Sequence, residues 1–150
     1  MIDDVASAAA TLRGLGNGLR VSQALYVAAE LGVADHLSEQ PLNNLELAAA
    51  TGTDASALGR VVRALCALGV LSVTPSGYYS LTSVGRLLQS DVPGSWRAGI
   101  RFTAGPVRWR CWSQLLEIVQ TGANASERVL GQQLFEFYTA NPAESKIHFR

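Results

Sequence analysis

The sequence is poor in the residues that do metal and thiol chemistry. It has two histidines, two cysteines and one methionine in 150 residues. His36 and His148 stand far apart, as do Cys66 and Cys111, and none of their spacings matches a metal-ligand set. Both cysteines fall in helical patterns and read as reduced, buried thiols. Charge is scarce as well: charged residues make up 16%, and twelve Lys and Arg balance twelve Asp and Glu. A neutral chain lacks the basic excess with which nucleic-acid-binding domains meet phosphates, so a nucleic-acid partner is not expected. No apolar run reaches the roughly 18 residues of a membrane span. The opening carries Asp3 and Asp4, where a secretory signal would be basic. These absences point to a cytoplasmic protein with no membrane segment, in which the sequon Asn124-Ala125-Ser126 has no use.

What is present is apolar. Hydrophobic residues make up 48%, enough for one domain with a real core. Residues 1–13 are Ala-rich and read as a helix that Gly14-Leu15-Gly16-Asn17-Gly18 breaks. Residues 19–31 place Val21, Ala24, Leu25, Ala28 and Leu31 on one helical face. A short turn of helix follows at 33–37. Asn44 reads as the cap of a helix that Gly52 ends. Thr53 or Asp54 then caps a helix over 54–68, whose stripe is Leu58, Val61, Val62, Leu65 and Leu68. Leu71 and Val73, the turn Pro75-Ser76-Gly77, and Tyr79 and Leu81 make a hairpin. Thr82 caps a helix over 83–89. This is a winged helix-turn-helix with a small β-hairpin wing, in a mainly α chain. A linker at 91–95 leads to helices over 96–104, 107–120 and 134–140, and Asn141-Pro142 starts a last one.

The helix over 54–68 sits where a DNA reader would lie. Such a helix presents hydrogen-bonding side chains outward, because base edges offer hydrogen-bond groups. Here the outward face carries Ala57, Arg60, Ala64 and Ala67, with Arg63 at its edge. Two arginines suit phosphates, but the alanines carry no sequence information. The wing tip, Pro75-Ser76-Gly77-Tyr78, has no basic residue. A small, Ala-rich face suits close packing against another helix. Scaffolding is the preferred reading and DNA binding the alternative.

The ordered set "ALYVAAELGVADHL", "LELAAATGTDASALGRVVRALCALGVL" and "YYSLTSVGRLL" resembles the N-terminal domain of class I S-adenosylmethionine-dependent O-methyltransferases of the acetylserotonin and hydroxyneurosporene type. "WSQLLEIVQTGANASERVLGQQLFEFYTANP" looks like that family's bridge into a catalytic domain. The resemblance spans residues 19–147. It implies a winged helix that does not bind DNA, forms a homodimer and supplies one wall of a small-molecule pocket. It also implies three parts: a dimerisation helix and break over 1–18, the winged helix over 19–90, and a helical bridge over 91–150. S-adenosylmethionine and the catalytic histidine then belong to a domain further downstream, and this chain alone is expected to be inactive. One departure stands at the exit. Family members commonly place a Phe six positions after the "NP", where this chain has His148, with Phe149 one later. The alternatives are a winged-helix transcriptional regulator and a stand-alone interaction or ligand-binding module.

Each candidate site also has a plainer account. Trp96, Trp109 and Trp112, with Phe102, concentrate the aromatic area. Core packing is one reading and a pocket wall for a flat substrate the other. The resemblance, registered on the run from Trp112 to Leu115, places Phe102 and Thr103 at positions that face substrate in the family, with Trp109 beside them. Trp112 reads as structural, and Phe135 and Phe137 as core or interdomain contacts. Arg97, Arg101, Arg108 and Arg110 cluster around these aromatics. A salt-bridged or solvated face is the plain reading, and a site for an anionic ligand or RNA the sharper one. Gly14 to Gly18 mimic a nucleotide loop, with Glu39 near the usual acidic position, but an Ala-rich helix precedes them instead of a strand. Asp35 beside His36 suits a helix-end contact better than a general-base pair. No catalytic, cofactor-binding or metal residue is assigned.

Overall fold

The structure is a computed structural model that describes residues 2–142. Among these the chain forms eleven helices and one two-stranded sheet. Helix α1 (Ile2–Gly16) runs straight through Gly14 and Gly16, so the expected glycine-rich break shrinks to Asn17. Asn17 keeps a helical backbone, φ −80° and ψ −8°, and α2 (Gly18–Glu30) resumes at once. The hydrogen bonds carry across the joint, from Asn17 N–H to Arg13 C=O and from Val21 N–H to Asn17 C=O. A glycine in an open helix costs only about 1 kcal/mol relative to alanine, which this length of helix tolerates.

The core belongs to the winged helix. Ala28 of α2, Val33 and Ala34 of α3 (Val33–His36), Leu47 of α4 (Asn44–Thr51) and Leu58, Val62 and Leu65 of α5 (Ala55–Ala67) pack with Val70, Leu71, Tyr79 and Leu88. Leu47, Leu65, Val33 and Val62 are fully buried. The α5 stripe is as the period demanded, except that Leu68 falls at the C-cap and stays 43% exposed. Asp54 caps α5 by accepting from the Ala57 N–H at 2.7 Å. The cap of α4 is Asn43, one residue before the expected Asn44. Its side chain accepts from Leu45 and Glu46 N–H, while Glu46 Oε2 accepts from the Asn43 N–H. Asn44 instead spends its amide on the Ala55 carbonyl, tying α4 to α5.

Strands β1 (Leu71–Val73) and β2 (Tyr79–Leu81) pair antiparallel, with Leu71 opposite Leu81. The turn closes on Thr74 C=O, which accepts from the Gly77 N–H, with Pro75 at its second position. Leu42 adds a bridge on the other edge of β2. Helix α6 (Ser83–Arg86) is shorter than the expected 83–89, and the rest of that segment is 3₁₀-like, with Leu88 N–H donating to Gly85 C=O. Thr82 fastens α6 to the wing: its hydroxyl donates towards the Gly69 and Val70 carbonyls and accepts from the Gly85 N–H.

Beyond the wing, the chain forms α7 (Arg97–Ala104), α8 (Pro106–Trp112), α9 (Leu115–Thr121), α10 (Ala125–Leu130) and α11 (Leu134–Ala140). The expected single helix over 107–120 is thus two. Gln114 N–H donates to Cys111 C=O, a tightened turn, and the Ser113 hydroxyl donates to the Arg110 carbonyl. Such back-bonding bends helices. Helix α10 was not anticipated. Asn124 caps it by accepting from Ser126 and Glu127 N–H, which gives the sequon asparagine a structural use. His148, Phe149 and the helix expected after Pro142 lie outside the described residues.

The approach of α6 to the wing leaves no room at Gly85. A Cβ there would stand 2.2 Å from the Val70 carbonyl oxygen, a backbone atom that cannot step aside. Gly85→Ala should therefore cost about 2 kcal/mol, the usual cost of forced overpacking. A urea titration followed by circular dichroism checks this, and an unchanged midpoint would contradict it.

Candidate functional site

The site is built from α2 outward, because α2 carries both the core and the helix that presents the aromatics. Helix α7 lies along α2. Three polar ties fix it there. Arg97 Nε donates to the Ala29 carbonyl at 2.7 Å, and its Nη1 donates to Asp35 Oδ2 at 2.8 Å. Arg101 makes a two-pronged pair with Glu30, at 2.8 and 3.0 Å. At the far end Gln23 Nε2 donates to the Ala104 carbonyl at 2.9 Å. The Glu30 hydrogen bond raises the Arg101 pKa further.

The Arg97 corner is crowded and closed. Asp35 also accepts from the Ser90 N–H at 2.7 Å and from the Ser90 hydroxyl at 2.8 Å, and Arg97 reaches the same hydroxyl. Gly32 makes the corner possible. Its φ of +64° is in the left-handed region, and a Cβ there would lie 3.3 Å from Arg97 Nη2. Asp35 is thus a structural acceptor, while His36 is exposed at the end of α3. The arginine cluster resolves in the same way for Arg97 and Arg101, which are salt-bridged.

Anchored so, α7 holds Phe102 half-buried. The Arg108 guanidinium carbon of α8 sits 5.2 Å from its ring centroid, and the Tyr138 ring of α11 lies 5.5 Å away, tilted by 45°. Phe137 meets Tyr138 edge-on at 5.8 Å. Thr103 is exposed, with its hydroxyl donating back to the Gly99 carbonyl. Trp109 is 39% exposed. A cleft of about 180 Å³ opens between α8, α9 and α10, lined by Arg108, Cys111, Trp112, Leu115, Ile118 and Ala125. Phe102 borders it through Arg108, whereas Thr103 and Trp109 do not line it. A second cleft of about 420 Å³ lies under the wing, between Leu37–Pro41 and Ser80, Leu81, Arg86 and Gln89.

Several expectations shift. Trp96 and Trp112 are 62% and 57% exposed and Phe135 is exposed, so core packing within the protomer does not explain them. Cys66 and Cys111 are free and half-buried rather than buried, and burial pushes the Cys66 thiol up, away from thiolate. Reading the sequence missed Tyr138 and the special place of Arg108. Among the described residues no group of three His, Cys, Asp or Glu is placed to hold a metal ion. No helix among them is long and apolar enough to cross a membrane. On α5 the face of Ala57, Arg60, Arg63, Ala64 and Ala67 is exposed.

A winged helix with an added amino-terminal helix and a carboxyl-terminal run of helices bearing exposed aromatics defines the architecture. The O-methyltransferase dimerisation domain family matches residues 14–91, and the chain belongs to that family. Phenazine O-methyltransferase PhzM of Lysobacter antibioticus is 37% identical over 130 residues, 87% of this chain and 38% of that protein. The crystal structure of LaPhzM matches with a TM-score of 0.88 at 35% identity, over 93% of this chain and 42% of that one. Human N-acetylserotonin methyltransferase in complex with SAM matches with a TM-score of 0.85 at 28% identity, over 93% of this chain and 43% of that one. The chain therefore spans about two fifths of the length of the relatives it matches.

The two α7 arginines separate a part-buried tie, which reaches a buried carbonyl, from an exposed one. Arg97→Ala strips a hydrogen bond from the carbonyl of fully buried Ala29 and a charged partner from Asp35, and should cost about 2 kcal/mol. Arg101→Ala removes a surface pair with Glu30 and should cost under about 1 kcal/mol. Chemical denaturation of the two variants decides the ranking, and equal losses would contradict it.

Proposed function

We propose that this chain is the dimerisation and substrate-wall domain of an S-adenosylmethionine-dependent O-methyltransferase that acts on a small hydroxylated aromatic or polyketide-like compound. The arm over 1–18 serves dimerisation, 19–90 is the winged helix, and 91–150 leads towards a catalytic domain. Phe102, Thr103 and Trp109 are the wall residues we assign, and the protein works in the cytoplasm. The relatives support the reaction class, since a phenazine O-methyltransferase and a methyltransferase in complex with SAM both share the fold.

The observation that carries the reading is the state of α1. Its described side chains are exposed, apart from half-buried Ala9. Val5, Ala8, Leu12 and Leu15, continued by Leu19, recur every three or four residues, the spacing of a helix-pairing seam. Leu12 is 70% exposed and Leu15 is 73% exposed. A helix of this length is marginal in water without a packed face, and a second copy of the chain offers a matching seam. The DNA-binding alternative gains nothing from the wing, whose tip hydrogen-bonds to itself through Thr74 and Ser76 and carries no cation.

The cofactor does not fit the residues described. A nucleotide-type site needs a strand, a Gly-rich turn and a helix in series. Gly14 and Gly16 lie inside α1 and Gly18 opens α2, with no strand before them. We therefore assign S-adenosylmethionine to a catalytic domain and not to this chain. Calorimetric titration of the chain with S-adenosylmethionine should show no specific heat, and micromolar binding would overturn that assignment.

Light scattering at tens of micromolar should give a dimer, and Leu15→Glu should convert it to monomer with its helical circular dichroism largely kept. A monomeric parent chain would sink the dimerisation reading.

A further inference from the structure

Five arginines lie between residues 97 and 142: Arg97, Arg101, Arg108, Arg110 and Arg128. Four have a plain account. Arg97 and Arg101 pair with Asp35 and Glu30, Arg128 pairs with Glu117, and Arg110 is exposed to water. Arg108 does not. It is half-buried, its Nε is shielded from solvent with no hydrogen-bond partner among the described residues, and the residue lines the cleft between α8, α9 and α10. The other lining side chains, Cys111, Trp112, Leu115, Ile118 and Ala125, bring no charge. The three glutamates of the same stretch are taken. Glu117 holds Arg128, Glu127 accepts from the Gln133 amide, and Glu136 accepts from the Gln133 N–H.

A partly dehydrated cation in apolar surroundings is unfavourable unless a counter-charge reaches it. The Phe102 ring face at 5.2 Å supplies part of that compensation. The cleft side is open to supply the remainder. The cleft measures about 180 Å³, and an apolar cavity of about 150 Å³ takes up one benzene molecule. One positive charge, an apolar lining with an indole, and room for a single ring together specify the occupant.

We infer that this cleft receives the carboxylate-bearing ring of an aromatic acid, with Arg108 as its counter-charge and Trp112 against the ring. The inference rests on the substrate-wall reading and narrows it to an anionic substrate class, with Arg108 as the specificity-determining residue.

The test titrates the nitrogen-labelled chain, at neutral pH, with salicylate and with its neutral isostere salicylamide, following the Trp112 indole N–H resonance. Salicylate should bind about tenfold more tightly, as a charge-assisted contact implies. Arg108→Gln should bring the two ligands within about twofold of each other, and Arg108→Lys should keep part of the preference. Equal affinity of the parent chain for both ligands overturns the role of Arg108 and leaves the wall reading standing. No shift with either ligand overturns both. Should Arg108→Gln fail to fold, added salt decides on the parent chain. Salt must weaken salicylate and spare salicylamide, and a salt-insensitive preference overturns the inference.

Discussion

Of the three polar ties that hold α7 on α2, the one at the Arg97 guanidinium joins the most segments. Arg97 is the only side chain on α7 that reaches the last turn of α2, α3 and the segment after the wing together, through Ala29, Asp35 and Ser90. The winged-helix core lies on one side of this corner and the aromatic helices on the other. The chain turns sharply at Gly32 so that the Ala29 carbonyl and the Asp35 carboxylate converge on one point. The Ala29 carbonyl accepts only a long bond from the Gly32 N–H, at 3.4 Å, besides that from Arg97, so the guanidinium adds its strongest partner and helps seat α7 along α2. Phe102 on α7, and through it Arg108 on α8, take their positions from that seat.

How far the sequence disclosed this depends on the range of the interaction. The winged helix was legible because its signals are local: the stripe Leu58, Val62 and Leu65, the cap Asp54, and the Pro75 turn between alternating strands. The α4 cap was misplaced by one residue, although the spacing of Asn43 to Glu46 marks a capping box that Asn44 lacks a partner to make. Helix α10 carries the same kind of mark in Asn124 and Glu127, but at six residues it has no period to read. The bend at Ser113 has no proline or glycine to announce it. The ties of Arg97 and Arg101 were beyond reach, since they join residues more than sixty positions apart. Composition suggested a cluster of arginines but not which of them were already paired.

The aromatics misled for a related reason. Tryptophan reads as core because it buries large areas, but none of the three is buried in the protomer. In the protomer Trp96, Trp112, Leu116 and Val119 are exposed. A monomeric soluble chain rarely leaves so many large apolar groups open. Their exposure leaves open apolar surface on the carboxyl-terminal helices.

Two such surfaces differ in kind, and the difference decides what each can meet. The α1 seam is wholly apolar along Val5, Leu12 and Leu15, and it repeats at the helix period. A surface of that kind is satisfied by its own copy, because identical seams interdigitate without a charge to neutralise. The face on α8 and α9 combines apolar Trp112, Leu115 and Ile118 with a shielded cation at Arg108. Self-pairing there would bring two such cations to one low-dielectric interface, where like charges repel most strongly. A complement of different chemistry, apolar in body and negative at one edge, suits that face better than a second copy of it. The same fold thus presents one surface suited to symmetry and another that symmetry disfavours.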